Sequence, residues 1–166
     1  MGTRILRCIQ CMLLACTLSL VLMAQSASGQ TVLQVIPPGG LILGGEQANC
    51  MYAPTVIISA GPYAGYAWYD PARGNIILNH DQFGNLPRFL MFFVYAHECG
   101  HRVYGLSEDT ADCFAAKLGR IQGWFPPMEF PMIVQMFANA PGDWTHRPGP
   151  QRIQHIATCH MDPAPP

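Results

Sequence analysis

The apolar positions fall into two regimes. Short β-branched runs occupy the first half of the chain, and longer stretches with helical spacing occupy the second. Thr31 to Ile36 is apolar and β-branched until Pro37-Pro38-Gly39-Gly40 stops it. Thr55-Val56-Ile57-Ile58 reads as a short buried strand ended by Gly61-Pro62. An aromatic-rich segment from Tyr63 to Tyr69, the turn Asp70-Pro71-Ala72-Arg73-Gly74 and the run Asn75-Ile76-Ile77-Leu78-Asn79 together predict a hairpin. Its aromatics are expected to pack on the sheet, since aromatic residues are enriched in strands.

The pattern then turns helical. Pro87 suits a first helical position, and the segment from Arg88 onward is apolar nearly all round, which predicts a buried helix ending at Tyr104 with Gly105 beyond it. Ser107 reads as the N-cap of a second helix that carries Glu108 and Asp109 in its first turn and runs to about Gly123. A third helix is expected from Pro127 to about Asn139, and a fourth from Pro150 to Cys159. The order predicts an α+β fold: a small β-sheet packed on a long central helix, followed by a second helix and two more.

The chain has 166 residues, 50% hydrophobic and 11% charged, with a formal net charge of −1. That size suits one domain with its own core. Seven of the nine basic residues lie scattered beyond position 30, so there is no basic stripe to neutralise phosphates and a nucleic-acid partner is excluded. Arg4 and Arg7, the apolar run from Cys8 to Ala24 and the small residues that follow predict a signal peptide over residues 1–29, cleaved after Ala27 or Gly29. The apolar run falls short of the roughly 20 residues of a spanning helix. Residues 30–166 are then a single exported domain, periplasmic or secreted, with no membrane span after cleavage. Its four cysteines, Cys50, Cys99, Cys113 and Cys159, form an even set suited to two disulfides in an oxidising compartment. The expected bridges are Cys113–Cys159, which would staple the last helix to the second, and Cys50–Cys99. A free, buried Cys99 is the open alternative.

The candidate chemistry lies on the central helix. His97-Glu98-Cys99-Gly100-His101 is an HExxH sequence. Residues four apart share a helix face, so both imidazoles can converge on one zinc ion while Glu98 stays free to act as general base. With six histidines in the chain, the motif arises by chance in roughly one sequence of this composition in two hundred. Two histidines and a carboxylate packed in a core with no partner would also be costly. A metzincin continuation needs glycine at position 104 and histidine at 107, where this chain has Tyr104 and Ser107.

Seven residues after His101 comes Glu108-Asp109-Thr110-Ala111-Asp112, an ExxAD sequence. With it the chain resembles the gluzincin metallopeptidases, in particular the prenyl-protease-like branch. The resemblance implies His97, His101 and Glu108 as zinc ligands, Glu98 as general base and Asp112 as the support that holds His97. The link from His101 to Glu108 is much shorter than gluzincins usually have, which leaves Asp112 open as the ligand in place of Glu108. Thr145-His146-Arg147-Pro148-Gly149-Pro150-Gln151-Arg152 resembles the His-Pro segment and Arg-bearing helix of the same branch, with Arg147 intruding between His and Pro. His146 is therefore either a donor to the oxyanion of peptide hydrolysis or a loop histidine without a catalytic role. His80 reads as an ordinary loop residue, and His155 and His160 as exposed surface residues.

The expected function is zinc-dependent hydrolysis of a peptide or protein substrate lying along strand Asn75–Asn79 as the sheet edge. Two other classes stay open. One is a secreted zinc-binding module without turnover that acts through partner binding, against which the free Glu98 argues; the other is an envelope-maintenance accessory protein. The oligomeric state is not readable from the sequence.

Overall fold

The computed structural model describes residues 29–62 and 64–166, and among them the fold is mixed α+β. The expected leader, apart from Gly29, lies outside the described residues, together with its Ala27 position and Cys8, Cys11 and Cys16. Val32–Pro166 form one compact unit.

Strands β1 (Thr31–Ile36), β4 (Thr55–Ser59), β5 (Ala67–Asp70) and β6 (Asn75–Asn79) make a four-stranded sheet in the order β1-β4-β6-β5. A separate hairpin pairs β2 (Leu41–Leu43) with β3 (Glu46–Ala48), a feature the hydrophobic pattern did not announce. The expected β5–β6 hairpin forms antiparallel, with Trp68 opposite Ile77 and Tyr69 opposite Ile76. The edge expectation is corrected. Strand β4 pairs parallel to β6, Thr55 with Ile76 and Ile57 with Leu78, so Asn75–Asn79 is interior and β5 is the edge. The reason is burial: the unbroken apolar runs Val56-Ile57-Ile58 and Ile76-Ile77-Leu78 suit the middle of a sheet, whereas Ala67–Asp70 is half-buried throughout.

Helix α1 (His80–Phe83) is one short turn begun by exposed His80, so this residue opens a helix and not a loop. Helix α2 (Arg88–Tyr104) follows as expected, with Pro87 as its N-cap residue and Gly105, at φ 86°, ending it. Helix α3 (Glu108–Gln122) is capped by the Ser107 hydroxyl, which accepts from the Thr110 amide, and it ends at Gly123. The third expected helix divides into a 3-10 turn, Pro127–Glu129, and α4 (Phe130–Phe137). Helix α5 spans Gly149–Met161.

Helix α2 lies between two cores. Phe92, Tyr95 and Cys99 join the sheet residues Ile76 and Leu78, while Phe89, Phe93 and Ala96 join Ala115, Phe137 and Ile156 of the other helices. This explains why its sequence is apolar nearly all round. Both expected disulfides form: Cys50–Cys99 ties the chain before β4 to α2, and Cys113–Cys159 ties α3 to α5.

Candidate functional site

His97 and His101 lie one turn apart on buried α2, with Nε2 atoms 3.1 Å from each other. Their other nitrogens are turned away. His97 Nδ1 donates to Asp112 Oδ1 at 2.8 Å, and His101 Nδ1 donates to the Gly105 carbonyl at 3.1 Å. Those bonds place the ring protons on the Nδ1 side and leave Nε2 facing inward on both rings. Glu108 comes over the same point from the first turn of α3, with Oε2 3.0 Å from His97 Nε2 and Oε1 3.4 Å from His101 Nε2.

The approach of α3 depends on Gly100. A Cβ there would lie 2.8 Å from the Ala111 backbone, so the glycine inside HExxH lets α3 cross close enough for Glu108 and Asp112 to reach His97. Asp112 is 1% exposed and does not face the Nε2 pair. Its carboxylate is held by the Arg152 guanidinium from α5, Nε to Oδ2 at 2.7 Å and Nη2 to Oδ1 at 2.8 Å. Along the chain no local pattern assigns Arg152 a role. The only signal for it was its place in the Arg-bearing helix segment.

His146 also reaches the site. Its Nε2 lies 3.0 Å from Glu108 Oε2, and its Nδ1 lies 3.1 Å from Asp143 Oδ2. Asp143 Oδ1 further accepts the backbone amides of Thr145 and His146 at 2.7 and 2.8 Å, which folds the Asp143–His146 segment into a tight turn. The Asp-x-Thr-His order is the sequence signal for that turn, since an Asp side chain accepts from amides two and three residues on. Glu98 is 8% exposed and lines the cleft beside His97 and His146 without taking part in the His–Glu108 cluster. The remaining histidines are corrected from exposed to half-buried: His155 donates to the Asp109 carbonyl and His160 to the Phe125 carbonyl. Each sits on α5 and caps a carbonyl of a neighbouring segment.

The electrostatics follow from this placement. Burial disfavours the charged form of His97, but its hydrogen bonds to the Asp112 and Glu108 carboxylates outweigh it and raise its pKa to about 9. The same two imidazoles hold Glu108 well below the usual carboxylate range, against its own burial. Burial pushes Glu98 up despite the pull of His97 and His101. The cluster therefore calls for a cation between the Nε2 atoms and the Glu108 oxygens, a demand that a proton or a metal ion can meet.

The donor set fits a metal ion. His97, His101 and Glu108 each offer one ligand atom within 4.8 Å of the others. Two nitrogens at about 2.05 Å from one tetrahedral ion stand about 3.3 Å apart, close to the separation found. A second cluster, Cys113, His155 and Cys159, also lies within ligand range, but its two sulfurs are joined in a disulfide and offer no thiolate. No described helix is long and apolar enough to cross a membrane. No family model, no curated protein and no solved structure matches this chain.

Proposed function

We propose that the domain is an exported zinc metallopeptidase of the gluzincin type, with His97, His101 and Glu108 as the metal ligands and Glu98 as general base. One observation carries the reading: two Nε2 atoms and a carboxylate converge while both Nδ1 atoms are occupied elsewhere, and a separate buried glutamate, Glu98, lines the cleft beside them outside that cluster. A structural zinc site has no use for that free carboxylate, whereas a hydrolytic site requires a base.

A bound zinc ion would act as Lewis acid and lower the pKa of its water. Glu98 takes the proton of the attacking water and passes it to the leaving nitrogen, a role for which a carboxyl pushed up by burial is suited. Asp112 fixes the ring orientation of His97 and is itself fixed by Arg152, so the ligand geometry is set by a chain of charge-assisted hydrogen bonds. His146, which Asp143 turns toward Glu108, would donate to the substrate carbonyl oxygen as it gains charge. The substrate backbone would add to the edge strand β5, whose Ala67, Trp68 and Tyr69 line the cleft. Two disulfides suit an oxidising compartment outside the cytosol.

Metal analysis of the purified mature chain, with peptide hydrolysis measured before and after chelation, tests the reading. It expects about one zinc per chain, hydrolysis that stops on chelation and activity that returns with zinc. Metal-free protein that hydrolyses peptides, or a zinc-loaded chain that hydrolyses none, would overturn it.

A further inference from the structure

We infer that Cys113, Cys159 and His155 form a second metal site, which takes zinc or another thiophilic divalent ion once the Cys113–Cys159 disulfide is reduced. The ion and the disulfide are then alternative cross-links at one point between α3 and α5. This site stands apart from the His97–His101–Glu108 centre and does not rest on the peptidase reading.

The helices bring the three donors together. His155 and Cys159 are four residues apart on α5 and share a face of it, and Cys113 meets them from α3. One ligand atom from each lies within 4.8 Å of the others. His155 Nε2 is 3.6 Å from Cys159 Sγ. On a tetrahedral zinc ion, with Zn–N about 2.05 Å and Zn–S about 2.3 Å, an imidazole nitrogen and a thiolate also stand about 3.6 Å apart. That pair is already at ligating separation. Two thiolates on the same ion stand about 3.8 Å apart, so the sulfurs must part when their bond breaks. Side-chain rotation supplies this, since the two Cα atoms are 5.0 Å apart. In the oxidised chain His155 Nε2 donates to the Asp109 carbonyl at 2.9 Å. Ligation shifts that ring proton to Nδ1 and releases a carbonyl that, being helical, has the amide four residues on as its partner.

The donor set selects the ion, and access selects the disulfide. Two thiolates and an imidazole, with no carboxylate, favour zinc-like ions over magnesium or calcium. Cys113 and His155 are half-buried, whereas Cys50 and Cys99 are 1% and 3% exposed. Among the described residues no third ligand stands beside that other pair. The chemistry balances with a dithiol as reductant. It gives two electrons to the S–S bond and two protons to the sulfurs, and is itself oxidised to a disulfide. Both thiol protons leave as the divalent ion binds, so metal loading and oxidation exclude each other.

Cobalt(II) titration of the mature chain tests this, because thiolate ligands give cobalt a charge-transfer absorption that imidazole and carboxylate ligands do not. The chain is reduced with a phosphine, which is oxidised to its oxide with oxygen from water, and the excess is removed under argon. The reduced chain should bind one cobalt more than the oxidised chain, with the thiolate band. Cys113→Ala with Cys159→Ala, treated alike, should lack the band. His155→Ala keeps all four cysteines and carries the test if the double variant does not fold. It should bind the extra ion more than about a hundredfold more weakly, beyond what loss of an outer-shell partner costs. A reduced chain without the band, a band that persists in the double variant, or undiminished affinity in His155→Ala would overturn the site. Each outcome is read from the thiolate band alone, so it holds whether or not the chain hydrolyses peptides.

Discussion

His146 Nε2 stands 3.0 Å from Glu108 Oε2, and the next residue on each side pairs as well: Arg147 closes a two-pronged hydrogen bond on Asp109, at 2.7 and 2.6 Å. Two consecutive acids at the start of α3 thus meet two consecutive bases of the loop before α5. The residue that departs from the His-Pro pattern, Arg147, is the one that clasps the loop to the helix bearing the candidate ligand.

Breaking the clasp should therefore affect the reaction more than the fold. Arg147→Ala is expected to leave thermal stability nearly unchanged, since exposed ion pairs contribute little, and to lower hydrolysis about two- to fivefold. Wild-type activity should fall with added salt, and the variant should lose that dependence. A salt response identical in both proteins would remove Arg147 from the positioning of His146.

Glu98→Gln should keep the fold and the metal but lose about 100- to 10,000-fold in turnover, because an amide cannot accept the proton. The check is turnover at measured zinc occupancy. Near-normal rates in a zinc-replete variant would exclude Glu98 as base.

The geometry ranks the two candidate third ligands. Glu108→Ala should release zinc more readily than Asp112→Ala, which should weaken binding only about ten- to a hundredfold through loss of His97 orientation. Competition with a chromophoric chelator measures both. The reverse ranking would make Asp112 the ligand.

The stability of the chelated protein should depend on pH in a direction fixed by His97. Its folded pKa, about 9, lies above the ordinary value of 6.5. The imidazolium therefore stabilises the metal-free fold fully below about pH 6.5, and that contribution is lost as pH rises through about 9. His101 is raised as well and acts in the same direction. Melting temperatures in chelator should fall across this window, and excess zinc should remove the slope by replacing the proton. A flat profile in chelator would contradict the charge placement.

The Cys113–Cys159 bridge spans a sequence separation of 46 residues. On the chain-entropy account its loss should cost about 4 kcal/mol. Cys113→Ala with Cys159→Ala should show this in denaturant unfolding, and peptide mapping of the unreduced chain should recover both native pairs.

Much of the α-helical half was legible along the chain because its determinants are local. Ser107 caps α3 through its own hydroxyl, Gly105 and Gly123 end helices with positive φ, and the i, i+4 spacing of His97 and His101 places both rings on one face wherever the helix goes. The HExxH and ExxAD segments could be picked out for the same reason. The choice between Glu108 and Asp112 could not, because it depends on how closely α3 crosses α2, and that distance is set by the missing side chain at Gly100.

The sheet edge was likewise outside the reach of the sequence. Strand β6 is followed along the chain by a helix and preceded by β5, so its second neighbour, β4, is a parallel partner some twenty residues upstream that no local pattern reveals. Arg152 on Asp112 and Arg147 on Asp109 join residues about forty positions apart, and such pairs exist only once α5 has packed on α3. Composition, periodicity and capping determine which segments form and which residues are the candidates for chemistry, because those effects act within a few residues. Which carboxylate faces the Nε2 atoms, which strand borders the cleft and what orients His146 are decided by tertiary packing, because each depends on separations of a few ångströms between elements distant in sequence.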